Sequence, residues 1–215
     1  MSKAKITLAL VAALAVTAFL IPAAADATPT LSKARWTQGG TPIPNGTGNA
    51  VSITTSGSLT LTVTIAGNAI AVTCNVSDSG SIWNDATDGG KNSESVTYSG
   101  CSATINGSPS GCTVSAVENN NPVPTSLGWD NANGVYRDKL TADVTNTFSG
   151  CFLALLGPER FTGDLYPQVD PATQTLVFDS SDPDQGTLAG PFGTHAAVDG
   201  SDAITAPTNI GVTNP

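Results

Sequence analysis

Catalysis by a hydroxyl or thiol nucleophile needs a base within reach. This chain offers one histidine, His195, in the loop-like stretch Gly193-Thr194-His195, and it contains no G-x-S-x-G turn. His195 therefore reads as a strand-edge residue, and no catalytic residue is assigned. Glycoside hydrolysis needs two carboxylates at a set separation. From Thr28 onward the glutamates are Glu94, Glu118 and Glu159. Glu118 opens Glu118-Asn119-Asn120-Asn121 at an expected strand end, ahead of Trp129-Asp130, and Trp83-Asn84-Asp85 sets a second aromatic beside polar groups. Aromatic rings stack on sugar faces, so Trp83, Asp85, Glu118, Trp129 and Asp130 are the candidate ligand-binding residues. The same residue types also build core tryptophans and polar loops. Calcium is the one cofactor to weigh: Asp179, Asp182 and Asp184 precede Gly186, and Asp85 and Asp88 precede Gly89-Gly90. Neither set has the spacing of an EF-hand loop or its closing bidentate glutamate. Asp and Gly are ordinary turn residues, so no metal site is assigned.

Four cysteines, Cys74, Cys101, Cys112 and Cys151, lack a C-x-x-C pair and lie far from His195, which argues against zinc. In an exported chain an even count pairs off, giving two disulfides. Export is expected from the first 27 residues. Lys3 and Lys5 precede an apolar run from Ile6 to Ile21, and Ala25-Asp26-Ala27 offers a small-x-small cleavage signature, so residues 1–27 read as a signal peptide. The run is shorter than the ~20 apolar residues of a spanning helix. The expected product is secreted or extracellular, with no membrane span once the signal is removed.

From Thr28 the chain carries six Lys and Arg against sixteen Asp and Glu. That balance repels phosphate backbones, so nucleic acid is excluded as a partner. Scarce Lys, Arg and Glu leave little from which to build surface helices. Residues 28–49, with Pro29, Pro42 and Pro44, read as a flexible polar leader in which Trp36 is the one large apolar residue; residues 50–215 read as the folded domain.

From Val51 the hydrophobic period is two. Leu59, Leu61, Val63 and Ile65 alternate with Ser58, Thr60, Thr62 and Thr64, and Ile70, Val72, Cys74 and Val76 alternate likewise. Gly67-Asn68 between the runs suits a two-residue hairpin turn. That loop pairs Ile65 with Ile70, Val63 with Val72, Leu61 with Cys74 and Leu59 with Val76, and a slip of one residue would turn threonines to the core. Further short strands are expected at Ser81-Asn84, Ser95-Ser99, Thr113-Glu118, Gly134-Arg137, Leu140-Phe148, Cys151-Leu156, Arg160-Leu165, Gln174-Phe178, Gly186-Ala189, His195-Val198 and Asn209-Val212. Short strands with turns every eight to twelve residues predict an all-β fold, a single antiparallel β-sandwich or jelly-roll-like domain. Cys101 and Cys112 enclose the turn formers Asn106-Gly107 and Pro109, which favours the pair Cys101–Cys112 and leaves Cys74–Cys151. The pairing in sequence order, Cys74–Cys101 with Cys112–Cys151, stays open beside it.

Ala71-Val72-Thr73-Cys74-Asn75-Val76, Gly80-Ser81-Ile82-Trp83-Asn84, Gly111-Cys112-Thr113-Val114, Gly150-Cys151 and Gly186-Thr187-Leu188 resemble stretches of a diffuse group of small secreted actinobacterial all-β proteins of unassigned function. The resemblance implies an exported all-β protein and supplies no site residues. The functional expectation is a non-catalytic binding or cell-envelope interaction module for an extracellular or envelope ligand. The alternative is a secreted carboxylate-dependent polysaccharide hydrolase.

Overall fold

The computed structural model describes residues 28–214, apart from the side chains of Ser115, Ala116 and Glu118. The expected signal peptide, and any ligand role for Glu118, lie outside the described residues. The strands are β1 (Leu31–Lys33), β2 (Arg35–Gln38), β3 (Thr41–Pro42), β4 (Val51–Ile65), β5 (Asn68–Asp85), β6 (Gly89–Ile105), β7 (Ser108–Pro109) and β8 (Thr113–Asn119). They continue with β9 (Val123–Asp130), β10 (Val135–Ser149), β11 (Glu159–Leu165), β12 (Gln168–Asp170), β13 (Thr175–Phe178), β14 (Leu188–Ala189), β15 (His195–Ala206) and β16 (Ile210–Thr213). The fold is all-β, built on one large antiparallel sheet and braced by two disulfides.

That sheet closes on itself. Hydrogen-bonded neighbours run β9-β6-β5-β4-β15-β13-β12-β10, and β10 pairs back with β9. One edge of β10 serves β9 and then β8; the other serves β12 and then β11. β14 links β11 to β15. The antiparallel layers thus become a barrel with few free edges to pair wrongly. Beyond Glu94↔Val123 the β6–β9 ladder stops, and the Asn121 side chain takes over by accepting from Val96 N and donating to Val96 O.

The β4–β5 hairpin forms in a register two residues from the expected one. Val63 pairs with Ile70, Leu61 with Val72 and Leu59 with Cys74, because the turn is Ala66-Gly67, both with positive φ (49° and 79°). A shift of two preserves the face of every side chain, so alternation alone cannot distinguish the two registers. The strands also run on where short ones were expected: β5 has 18 residues and β6 has 17. At Gly80 a Cβ would run into the Ser93 carbonyl of the neighbouring strand, so glycine permits the close approach there. Cys151-Leu156, expected as a strand, contains instead a short 3-10 turn at Phe152–Leu156.

The segment 28–49 is built into the fold, correcting its reading as a flexible leader. β2 pairs with β16 and β3 in a second small sheet. Asn84, fully buried, accepts from Trp36 N and donates to the carbonyls of Trp36 and Ile43. Trp36 thereby closes an apolar cluster with Ile53, Ile82, Leu127 and Ile210. A larger cluster around Val63, Val72, Phe161 and Val198 fills the other end.

The disulfides follow sequence order: Cys74–Cys101 and Cys112–Cys151. The expected Cys101–Cys112 and Cys74–Cys151 pairs fail because the β6–β7 hairpin ends at Pro109, and Gly111 (φ 69°) sends the chain into β8. Cys74 and Cys101 sit within the β5–β6 irregularity, between the pairs Thr73↔Ser102 and Asn75↔Ser99, while Cys112 and Cys151 meet just beyond the Thr113↔Ser149 end of the β8–β10 ladder. Peptide mapping without reduction should recover those two links. Val63, 3 % exposed, faces the interior. Val63→Ala should cost about 1–3 kcal/mol in denaturant unfolding, and Thr62→Ala, facing the other way, about 0.5 kcal/mol or less. Equal losses would place Val63 outside the core.

Candidate functional site

Antiparallel register fixes which residues look inward, and at mid-barrel those residues are acids. Asp78 on β5, Glu94 on β6, Asp138 on β10 and Asp202 on β15 share the parity of Val72, Tyr98, Leu140 and Val198, and all four line one interior cavity of about 120 Å³. The rest of its wall is mostly apolar, with Leu61, Val72, Leu140, Leu176 and Val198 among it, and it reaches Val96 and Asn119 at the β6–β8 seam. A second space of about 40 Å³ on the side of Trp36 shares Asn92, Glu94, Asp138 and Asp202. The carboxyls therefore form a layer between two apolar ends.

Among the described residues, no lysine or arginine forms an ion pair with any of the four. Burial accordingly favours the neutral acid. It raises Asp78 to about 9, helped by a hydrogen bond with Asp202 and by the charges of Asp202 and Glu94. Asp202 is raised by the same desolvation, against hydrogen bonds from Asp78 and Thr55. Glu94 rises to about 8 through burial and the nearby Asp138 and Asp202. Asp138 rises to about 7 through burial, opposed by Thr125 and Asn92. Thr55 donates to Asp202 Oδ2 at 2.6 Å, and Asp78 Oδ1 and Asp202 Oδ1 find no donor among the described residues.

The expected ligand residues are not brought together. Trp83 and Asp85 lie on the outward parity of β5, and Asp85 accepts from Thr87 N and Asp88 N in a turn. Trp129 points inward and packs edge-on against Tyr136, ring centroids 4.7 Å apart. Asp130 is buried on the outside of the wall, where it receives Arg137 Nε at 2.9 Å. Arg137, 1 % exposed, also donates to Asp182 Oδ2 at 2.8 Å and to Tyr166 O. Burial opposes ionisation of Asp130 and Asp182, but hydrogen bonds, from Asn133 and Arg137 to the first and from Arg137 and Gln168 to the second, hold both below the usual range. The Asp179-to-Gly186 loop, weighed above for calcium, thus has a guanidinium as its cation. Among the described residues no group of three or more His, Cys, Asp or Glu is arranged to hold a metal ion. His195 is exposed, 3.4 Å from the Thr187 hydroxyl.

Comparison with protein families, with characterised proteins and with solved structures finds no match to this chain. The site is accordingly read from its own geometry. Asp78, Glu94, Asp138 and Asp202 escape sequence reasoning because each interrupts an apolar alternation. The signal that could have found them is parity: Val76, Asp78, Gly80 and Ile82 keep one face through the break.

Raised acids bind more protons in the folded than in the unfolded state. Their contribution to stability is full below the unfolded pKa, near 4, and falls as pH rises toward 7–9. The lowered Asp130, Asp143, Asp164 and Asp182 act oppositely and lose their contribution only as pH drops below about 4. Melting temperature should therefore peak near about pH 4–5 and fall by several degrees toward about pH 9. Asp78→Asn should flatten the descent. A melting temperature that rises from pH 5 to 9 would contradict neutral interior acids.

Proposed function

We propose that this protein is a secreted, non-catalytic binding module that holds a small, largely apolar molecule inside its barrel. The observation that carries the reading is the interior cavity of about 120 Å³ with an apolar wall and one polar layer. A volume of this order accepts a benzene-sized guest, and a few convergent polar groups orient what enters. Neutral carboxyls donate as well as accept hydrogen bonds, which suits a guest bearing a carbonyl or hydroxyl. Two disulfides support an oxidising, extracellular setting. No helix among the described residues is long and apolar enough to cross a membrane. The signal-peptide pattern of residues 1–27 supports secretion. The polysaccharide hydrolase reading has less support. Its candidate aromatics, Trp83 and Trp129, face opposite sides of the sheet, and the raised carboxyls line the cavity inside the barrel, apart from Trp83.

The chain from Thr28 should gain thermal stability in the presence of indole or toluene, since a ligand of the folded state alone raises its midpoint by mass action. Ala142→Leu, which adds volume to the cavity wall, should keep the β-sheet spectrum and abolish the gain. No gain with either guest would overturn the reading. Release of reducing sugar from polysaccharides would favour the hydrolase.

A further inference from the structure

Beside the acid layer, Asn92 and Thr125 face each other as direct partners on β6 and β9. Both side chains point inward. The Thr125 hydroxyl lies 2.7 Å from each oxygen of Asp138 and meets Asn92 Oδ1 as well. On the other side of the amide, Asn92 Nδ2 is 2.8 Å from Glu94 Oε1 and 3.1 Å from Asp138 Oδ2. The arrangement sets a hydroxyl at the carbonyl oxygen of an amide, with one carboxylate in reach of both that hydroxyl and the amide nitrogen. Asn92 and Asp138 are buried, 5 % and 2 % exposed, so water is largely kept from the reacting groups.

We propose that Thr125 and Asn92 react to form an intramolecular ester that seals the barrel. Thr125 Oγ1 attacks Asn92 Cγ while its proton passes to Asp138, giving a tetrahedral intermediate. The Cγ–Nδ2 bond then breaks, Asp138 delivers the same proton to the departing nitrogen, and ammonia leaves. One O–C bond replaces one C–N bond, no electrons are gained or lost, and Asp138 ends as it began. Glu94 holds the amide in place through its hydrogen bond to Nδ2. The raised basicity of Asp138, near 7, suits a group that takes and returns a proton at neutral pH. Fixed placement of both reactants supplies the entropy of the encounter, loss of ammonia to bulk makes the step one-way, and burial protects the ester from hydrolysis. The link would span the β6–β9 ladder, which runs only from Lys91↔Ser126 to Glu94↔Val123 and helps close the circuit.

The test is the intact mass of the purified full chain after export and disulfide reduction. The expected result is a mass below that of the processed sequence by about 17 Da, one ammonia. Proteolysis should yield a branched species joining the Asn92 peptide to the Thr125 peptide, which hydroxylamine splits. Thr125→Val should restore the unmodified mass, and Asp138→Asn should slow the loss at least about tenfold. A wild-type mass equal to the processed sequence overturns the proposal whether or not either variant folds. So does a loss of ammonia confined to one peptide, as ring closure at Asn106-Gly107 would give.

Discussion

A sheet that closes on itself admits no free choice of face. Once β10 pairs with β9 at one edge and with β12 and β11 at the other, every second residue around the circuit is committed to the interior. The carboxyls of β5, β6, β10 and β15 stand inward for that reason alone. Moving Asp78 outward by a one-residue slip would also expel Val72, Val76 and Ile82, and would strip the ladders on both sides of β5. The apolar ends are what hold the acids in place. The larger cluster around Phe161 and the smaller one beneath Trp36 lie on either side of the polar layer, and burial of such apolar surface is the main driving force of folding. Covalent bracing follows the same geometry, since each disulfide joins positions that a ladder has already brought together.

Much of this was legible in the residues. The period of two from Val51, a turn between Ile65 and Ile70, and the even cysteine count carry the all-β class, the first hairpin and the existence of two bridges. The hairpin register was not fixed, because a displacement of two residues keeps every face. Only the positive φ at Ala66 decides it, at a residue that gives no hint of that conformation. Disulfide pairing was lost for a related reason. Proximity in sequence favoured Cys101 with Cys112, whereas the β8–β10 ladder, a long-range contact, places Cys112 beside Cys151. The leader was misjudged because prolines and glycines mark both mobile chain and short, sharply turned strands. Asn84, deep in β5, binds β2 from a distance that local composition cannot register.

The candidate site was the least legible part. Reasoning from exposed aromatics beside acids selected Trp83, Asp85, Trp129 and Asp130, which the fold distributes over both faces of the sheet. Trp129 belongs to the core with Tyr136, and Asp130 to the Arg137 hub. The acids that do converge all fall outside the expected strands. An inward carboxyl breaks the hydrophobic pattern in the same way a turn does, and only the continued parity of Ile82 and Asn84 separates the two.

Charge is partitioned by the wall of the barrel. Outside it four acids are matched by cations: Asp130 and Asp182 hold Arg137, Asp164 holds Lys139, and Asp143 holds Arg160. Inside, no lysine or arginine among the described residues pairs with these acids, and four ionised carboxylates would repel one another in a medium of low polarity. Neutral acids escape that cost, because a protonated carboxyl can donate to its neighbour and accept in return. Asp78 and Asp202 pair in this manner, with Thr55 supplying a further donor. The interior therefore needs no lysine to balance it. Its polarity is that of hydrogen-bonding groups rather than of fixed charge, which lets a polar layer persist between two apolar clusters without a counter-ion.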